Sequence, residues 1–163
     1  YKMVLYEGEY IDIKVHVFSK GFEETSYHNH SQHMLLCNLA GDYFHKLWSI
    51  NHNKPGVLYK FKHEKGGKIS KAEKIDGTLE YMDCSNYKPG NWRCLHPSSI
   101  HTIKSGVSNE QVISFIIRSK LDQNKDRFIW SKQPQLQIKP EFDDYVYDTE
   151  RLQILKYIVS AVQ

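Results

Sequence analysis

Long apolar runs are missing from this sequence: nowhere does it approach the ~18 consecutive apolar residues of a membrane-crossing helix. Helical membrane insertion is therefore excluded. Cysteine is scarce, and Cys37, Cys84 and Cys94 are odd in number without any CxxC spacing. That argues against a disulfide scaffold or a thiolate zinc site and leaves them as small buried hydrophobes. A charge excess of one sign is also missing, since 22 Lys+Arg against 19 Asp+Glu leave +3. So weak a field names neither nucleic acid nor an anionic membrane as partner. GxGxxG, P-loop and GxSxG patterns are absent, which removes support for dinucleotide binding, phosphoryl transfer and serine hydrolysis. The amino end, Tyr1-Lys2-Met3-Val4, lacks the cationic-then-apolar layout of a signal peptide, so a cytoplasmic location is expected. Because the chain starts at Tyr1 rather than Met, residues upstream stay an open matter.

What is present suits one folded domain. The chain has 163 residues, 40% of them hydrophobic, with 9 Gly and 5 Pro. This length and composition allow one core and exclude collagen-like or low-complexity sequence. Residues 9–18 alternate, with Ile11, Ile13, Val15 and Val17 on one face and Asp12, Lys14 and His16 on the other, the pattern of a half-buried strand. A second extended run from Tyr27 to Asn38 ends at Gly41-Asp42. Short β segments are then expected at 43–50, 56–63, 78–84, 92–95, 101–103 and 111–119, separated by turns such as Asn86-Tyr87-Lys88-Pro89-Gly90. Such spacing predicts an all-β sandwich or barrel. Only the tail changes period. Asp148 is a candidate N-cap, and Leu152, Leu155, Ile158, Val159 and Val162 recur at helical spacing. We therefore divide the chain into a β-barrel over 1–145 and a helix over 146–163 that packs on the barrel or on a second subunit. The lysine-rich stretch 64–75 and the acidic pairs Glu23-Glu24 and Asp143-Asp144 read as solvated surface.

Nine histidines remain, and His28-Asn29-His30 is the strongest local signal. On a strand, residues two apart share a face with Cβ atoms roughly 7 Å apart, so two imidazoles can converge on one metal. The same tripeptide also suits two histidines alternating on a solvated strand face. His33 has the wrong parity to join the pair without a bulge. His16, His45, His52 and His63 fall on polar faces or in turns and are expected at the surface.

Gly21, His28-Asn29-His30 and Gly41, followed by His96-Pro97-Ser98-Ser99-Ile100-His101-Thr102-Ile103, form a layout that resembles the two motifs of the cupin superfamily. The resemblance spans Gly21 to Arg118 and implies a double-stranded β-helix barrel (jelly roll) binding one divalent metal. Two departures qualify it. The position four residues after His30, where that family places glutamate, is Met34, a poor ligand for a hard ion. The second-motif turn lacks glycine and is one residue short. What the resemblance leaves is a metal set of His28, His30 and His101, similar to the three-histidine iron centres of the cysteine dioxygenase branch. His101 is preferred to His96 because it follows the Pro97 turn, and the two are five residues apart, which puts them on opposite faces of a strand.

The implied function is a non-haem Fe(II) dioxygenase, with Zn(II), Mn(II) and Ni(II) as alternative metals. Its substrate would be a small thiol, amino acid or carboxylate that ligates the metal beside O2. Tyr59, Arg93 and Arg118 are the candidate catalytic or substrate-contacting residues at the barrel mouth, the arginines offering a planar fork to a carboxylate. A metal-dependent isomerase, epimerase or lyase, or a non-catalytic ligand-binding or accessory domain, fits the same residues. Expected partners are the small-molecule substrate, O2 and, through the tail, a second copy in a homodimer.

Overall fold

The structure is a computed structural model that describes residues 2–63, 69–108, 110–120, 126–136 and, in the tail, 153, 155, 156, 159 and 160. Among the described residues, twelve strands carry the fold. They are β1 (Lys2–Glu7), β2 (Ile11–Phe18), β3 (Tyr27–His28), β4 (Met34–Ala40), β5 (Tyr43–Asn51), β6 (Val57–His63), β7 (Glu73–Asp76), β8 (Thr78–Tyr87), β9 (Trp92–Leu95), β10 (Ile100–Ser105), β11 (Val112–Ser119) and β12 (Arg127–Ser131). They form two antiparallel sheets, one in the order β1-β2-β11-β4-β9 and the other β7-β6-β12-β3-β10-β5-β8. The expected all-β architecture is what the chain adopts, as two antiparallel sheets. Most of the helix expected over 146–163 lies outside the described residues. The residues described there, Gln153, Leu155, Lys156, Val159 and Ser160, are helical and exposed. No helix among the described residues is long and apolar enough to cross a membrane.

The sheets meet through Met34, Leu36, Leu95 and Ile116 of the first, which pack with Leu47 of the second. Leu47 is paired with His101 across β5 and β10, and residues directly opposed in an antiparallel pair share a face. The inner face of the seven-stranded sheet therefore carries His101. On the five-stranded sheet, Lys14 opposes Ile116 and Asp12 opposes Arg118. The polar face of β2 thus points into the space between the sheets rather than to water. Asp12 is 0% exposed, and Lys14 and His16 are half-buried. The apolar face of β2 is buried on the other side, where Val15 and Val17 pack with Met3 and Ile113. Alternation was legible from the sequence, but which face turns inward was not.

The run read as one strand from Tyr27 to Asn38 is two, broken over residues 29–33. Asn29 occupies the break: its backbone N–H donates to the Phe128 carbonyl (3.2 Å) and its side-chain Oδ1 accepts from the Phe128 N–H (2.6 Å). Among the cysteines, only Cys37 is buried, whereas Cys94 is exposed, so the expectation of three buried thiols holds for one.

Gly41 closes the first motif for a steric reason. Its φ is +67°, and a Cβ there would stand 2.4 Å from the Gln111 carbonyl oxygen. The turn is tied down from both sides, since the Asn38 amide donates to the carbonyls of Gly41 (2.8 Å) and Tyr87 (3.0 Å). The Asp42 carboxylate gathers the N–H groups of Val107 (2.9 Å) and Ser108 (3.0 Å). We predict that Gly41→Ala destabilises the protein by at least about 2 kcal/mol, from the left-handed backbone plus the clash. A lower urea midpoint at unchanged m-value is the expected result, and an unshifted midpoint would contradict it.

Candidate metal centre

His28, His30 and His101 come together, with one nitrogen of each lying within 4.8 Å of the others. Three local features place them. His28 sits on the two-residue strand β3, directly paired with His101 on one side and with Ile129 on the other. His101 opens β10. His30 lies beyond the end of β3, so strand alternation is not what aims it. Its backbone N–H instead donates to the Pro97 carbonyl (3.3 Å), tying the second histidine of the first motif to the turn of the second.

The nitrogens face inward with defined partners. The Ser26 carbonyl, which can only accept, lies 3.2 Å from His28 Nδ1. That fixes the proton on Nδ1 and leaves Nε2 as the lone-pair nitrogen of neutral His28. His30 Nε2 and His101 Nε2 face each other at 2.8 Å. Two lone pairs cannot meet at that distance, so in the metal-free protein one of these nitrogens carries a proton. A divalent ion about 2.1 Å from each nitrogen needs them roughly 3 Å apart, so the pair is already near the spacing a cation requires.

Electrostatics favour neutral rings. Burial first, then the neighbouring positive groups His28, Arg127, His16 and Lys2, hold His30 well below the ordinary imidazole range. Burial, His28, His30, His45 and Arg93 do the same to His101. Neutral imidazole is the form that binds a metal. The donor set therefore fits a divalent ion, and no carboxylate among the described residues belongs to the group. Met34, at the position where the cupin pattern has glutamate, is buried in the apolar cluster with Leu36, Leu95 and Ile116.

The structure sorts the remaining candidates. His96 is exposed, bonds through Nδ1 to the Ser98 hydroxyl (2.6 Å) and has its ring 4.9 Å from that of exposed His33, away from the three. Arg93 shares a sheet face with Leu95. It donates to the Tyr87 hydroxyl (3.0 Å), and its positive charge is felt at His45 and His101. Arg118 lies elsewhere, ion-paired with buried Asp12. Burial pushes the Asp12 carboxyl up, but hydrogen bonds from Arg118 and Lys120 outweigh it and hold the group ionised. Tyr59 is half-buried on β6, with its neighbour Phe61 opposite Ile129.

Three residues escaped the sequence reading. His45, expected at the surface, is 0% exposed, and its Nε2 lies 2.7 Å from His101 Nδ1. The signal was available only through pairing, because His45 opposes Ile103, two residues along β10 from His101 and on the same face. Arg127, whose charge acts on His30, belongs to β12, a strand the sequence did not announce. His16 is likewise half-buried near His30 rather than on the surface.

Burying three neutral imidazoles has a consequence for the metal-free protein. Burial lowers His45 from 6.5 to about 3 and lowers His30 and His101 as well. Below pH 6.5 the unfolded chain takes up protons that the folded one refuses. Stability is therefore full above 6.5 and is lost as pH falls toward the folded value. Each such histidine costs about 1.4 kcal/mol per pH unit, so His45 alone removes about 2 kcal/mol between pH 6.5 and 5. Urea unfolding of chelator-treated protein should show this loss, and stability independent of pH from 7 to 5 would contradict it.

No protein-family model matches the chain, and no curated protein does. Solved structures do. The chain is similar to a cupin superfamily protein from Desulfitobacterium hafniense at 13% identity and TM-score 0.42, covering 73% of this chain and 75% of that one. It is similar to the Cnp3 cupin domain of Schizosaccharomyces pombe at 13% and 0.45, covering 72% and 59%. An RmlC-like cupin family protein with a double-stranded β-helix fold from Methanocaldococcus jannaschii gives 16% and 0.41, covering 73% and 80%.

Proposed function

We propose that the chain is a metal-dependent cupin enzyme, a non-haem Fe(II) dioxygenase acting on a small anionic substrate. The observation that carries this reading is a set of three converging imidazoles, two of them held neutral by burial, with no carboxylate among the described residues of the group. Such a set cancels none of a divalent ion's charge and fills only part of its coordination sphere. When bound as Fe(II), the metal would supply Lewis-acid and redox chemistry toward O2 and a substrate that ligates it through a thiolate, amine or carboxylate.

The chain's own residues then do three things. His28, His30 and His101 would hold the ion, with His28 pre-set by the Ser26 carbonyl to offer Nε2. Arg93 and Arg127 place positive charge close enough to act on His101 and His30, which favours an anionic over a cationic substrate at the site. Arg93 has one Nη on Tyr87, and the rest of its fork is available to orient a carboxylate. Met34, Leu36, Leu95, Ile116 and Leu47 supply a dry wall next to His101. A dry wall strengthens every charge interaction in the pocket. Tyr59 is a proposed substrate contact, whereas the Arg118 guanidinium serves Asp12 and would meet a substrate only beside that pair.

Two experiments test this. Protein purified from its native host should carry roughly one metal equivalent per chain, lost in His28→Ala, His30→Ala and His101→Ala but retained in His96→Ala. Full occupancy in any of the first three after gel filtration would remove the site. Fe(II)-loaded protein should consume O2 with small thiols, amino acids or carboxylates. Anaerobic turnover with Zn(II) or Mn(II) would instead place the activity among isomerases or lyases.

A further inference from the structure

The three inward nitrogens are explained by metal binding, but the fourth buried histidine is not. His45 is fully buried on β5, its ring centre 4.7 Å from that of His101, and its Nε2 meets His101 Nδ1 at 2.7 Å. The other nitrogen of His101, Nε2, is the one aimed at His30. His45 Nδ1 is buried with no hydrogen-bond partner. Proton positions in this chain of rings are therefore coupled, because each close nitrogen pair can hold only one proton.

For His101 to give its Nε2 lone pair to a cation, its proton must sit on Nδ1. His45 Nε2 must then accept that proton's hydrogen bond, and the His45 proton moves to Nδ1. In the metal-free protein the opposite arrangement also satisfies both contacts, with His45 Nε2–H donating to His101 Nδ1 and His101 Nε2–H donating to His30. The two states differ only in which nitrogen carries each proton. Building on the metal-site reading above, we propose that His45 is a positioning residue that holds His101 in its Nε2-binding tautomer by accepting from Nδ1–H. His28 has a backbone carbonyl, Ser26, for the same task. For His101 the chain uses a side chain, and so makes that task open to mutation.

Partners of this kind are worth about 10- to 100-fold in metal affinity. His45→Leu keeps the bulk but removes the acceptor, whereas His45→Gln puts an amide oxygen near the position of Nε2. Zn(II) affinity is measured by chelator competition, with wild type and His28→Ala alongside. The expected result is about 10- to 100-fold weakening in His45→Leu and no more than about 3-fold in His45→Gln. If wild type binds and His45→Leu binds equally well, the inference fails while the metal site stands. If folded wild type binds no more tightly than His28→Ala, the metal site itself fails.

Should His45→Leu not fold, nitrogen-15 NMR of histidine-labelled, Zn(II)-loaded wild type decides alone. The inference requires a proton on His101 Nδ1 and on His45 Nδ1, with His45 Nε2 bare. A protonated His45 Nε2 in the loaded protein overturns it.

Discussion

His30 and His101 meet nitrogen to nitrogen at 2.8 Å, inside a barrel whose burial keeps both rings neutral. That contact constrains much of what surrounds it. Two imidazoles that close must share a proton or a cation, and neither ring can simply turn to water. The chain accepts the constraint by holding each ring from behind: the Ser26 carbonyl on His28, the Pro97 carbonyl on the His30 backbone, and His45 on His101. Stopping β3 after two residues is part of the same arrangement. A continuous ladder would commit the backbone of His30 to a neighbouring strand, whereas the break held by Asn29 lets it reach the Pro97 turn.

The charge inside the barrel is divided into two regions. Near the histidines stand Arg93, Arg127 and His16, all positive or able to become so. Away from them, Asp12 is neutralised by Arg118 and by Lys120, whose Nζ is 2.9 Å from Oδ1. Buried charge is costly unless paired, and Asp12 is paired with both Arg118 and Lys120. An anion entering the barrel would gain most next to the histidines.

Much of this was legible in the sequence, and the failures share one cause. Period-2 alternation, turn residues and the His-x-His spacing are local, so the strands over 43–51, 57–63, 92–95 and 112–119 and the His28/His30 pair could be read directly. Gly41 could be read too, because its left-handed turn excludes a side chain. Orientation and pairing are non-local. The sequence shows that Asp12, Lys14 and His16 share a face, but only their pairing with β11 shows that this face looks inward. His45 looks like any polar strand residue until β5 is placed beside β10. The short strand β12 went unread, and its place is set by non-local pairing, between β6 and β3.

The central claim is that three imidazoles and no carboxylate or thioether hold one divalent ion. X-ray absorption at the metal edge of the loaded protein measures the donor atoms directly. The account predicts three imidazole nitrogens at roughly 2.0–2.2 Å, with the remaining shell filled by light oxygen donors from solvent. A sulfur scatterer, which would put Met34 in the shell, or fewer than two imidazoles would contradict it.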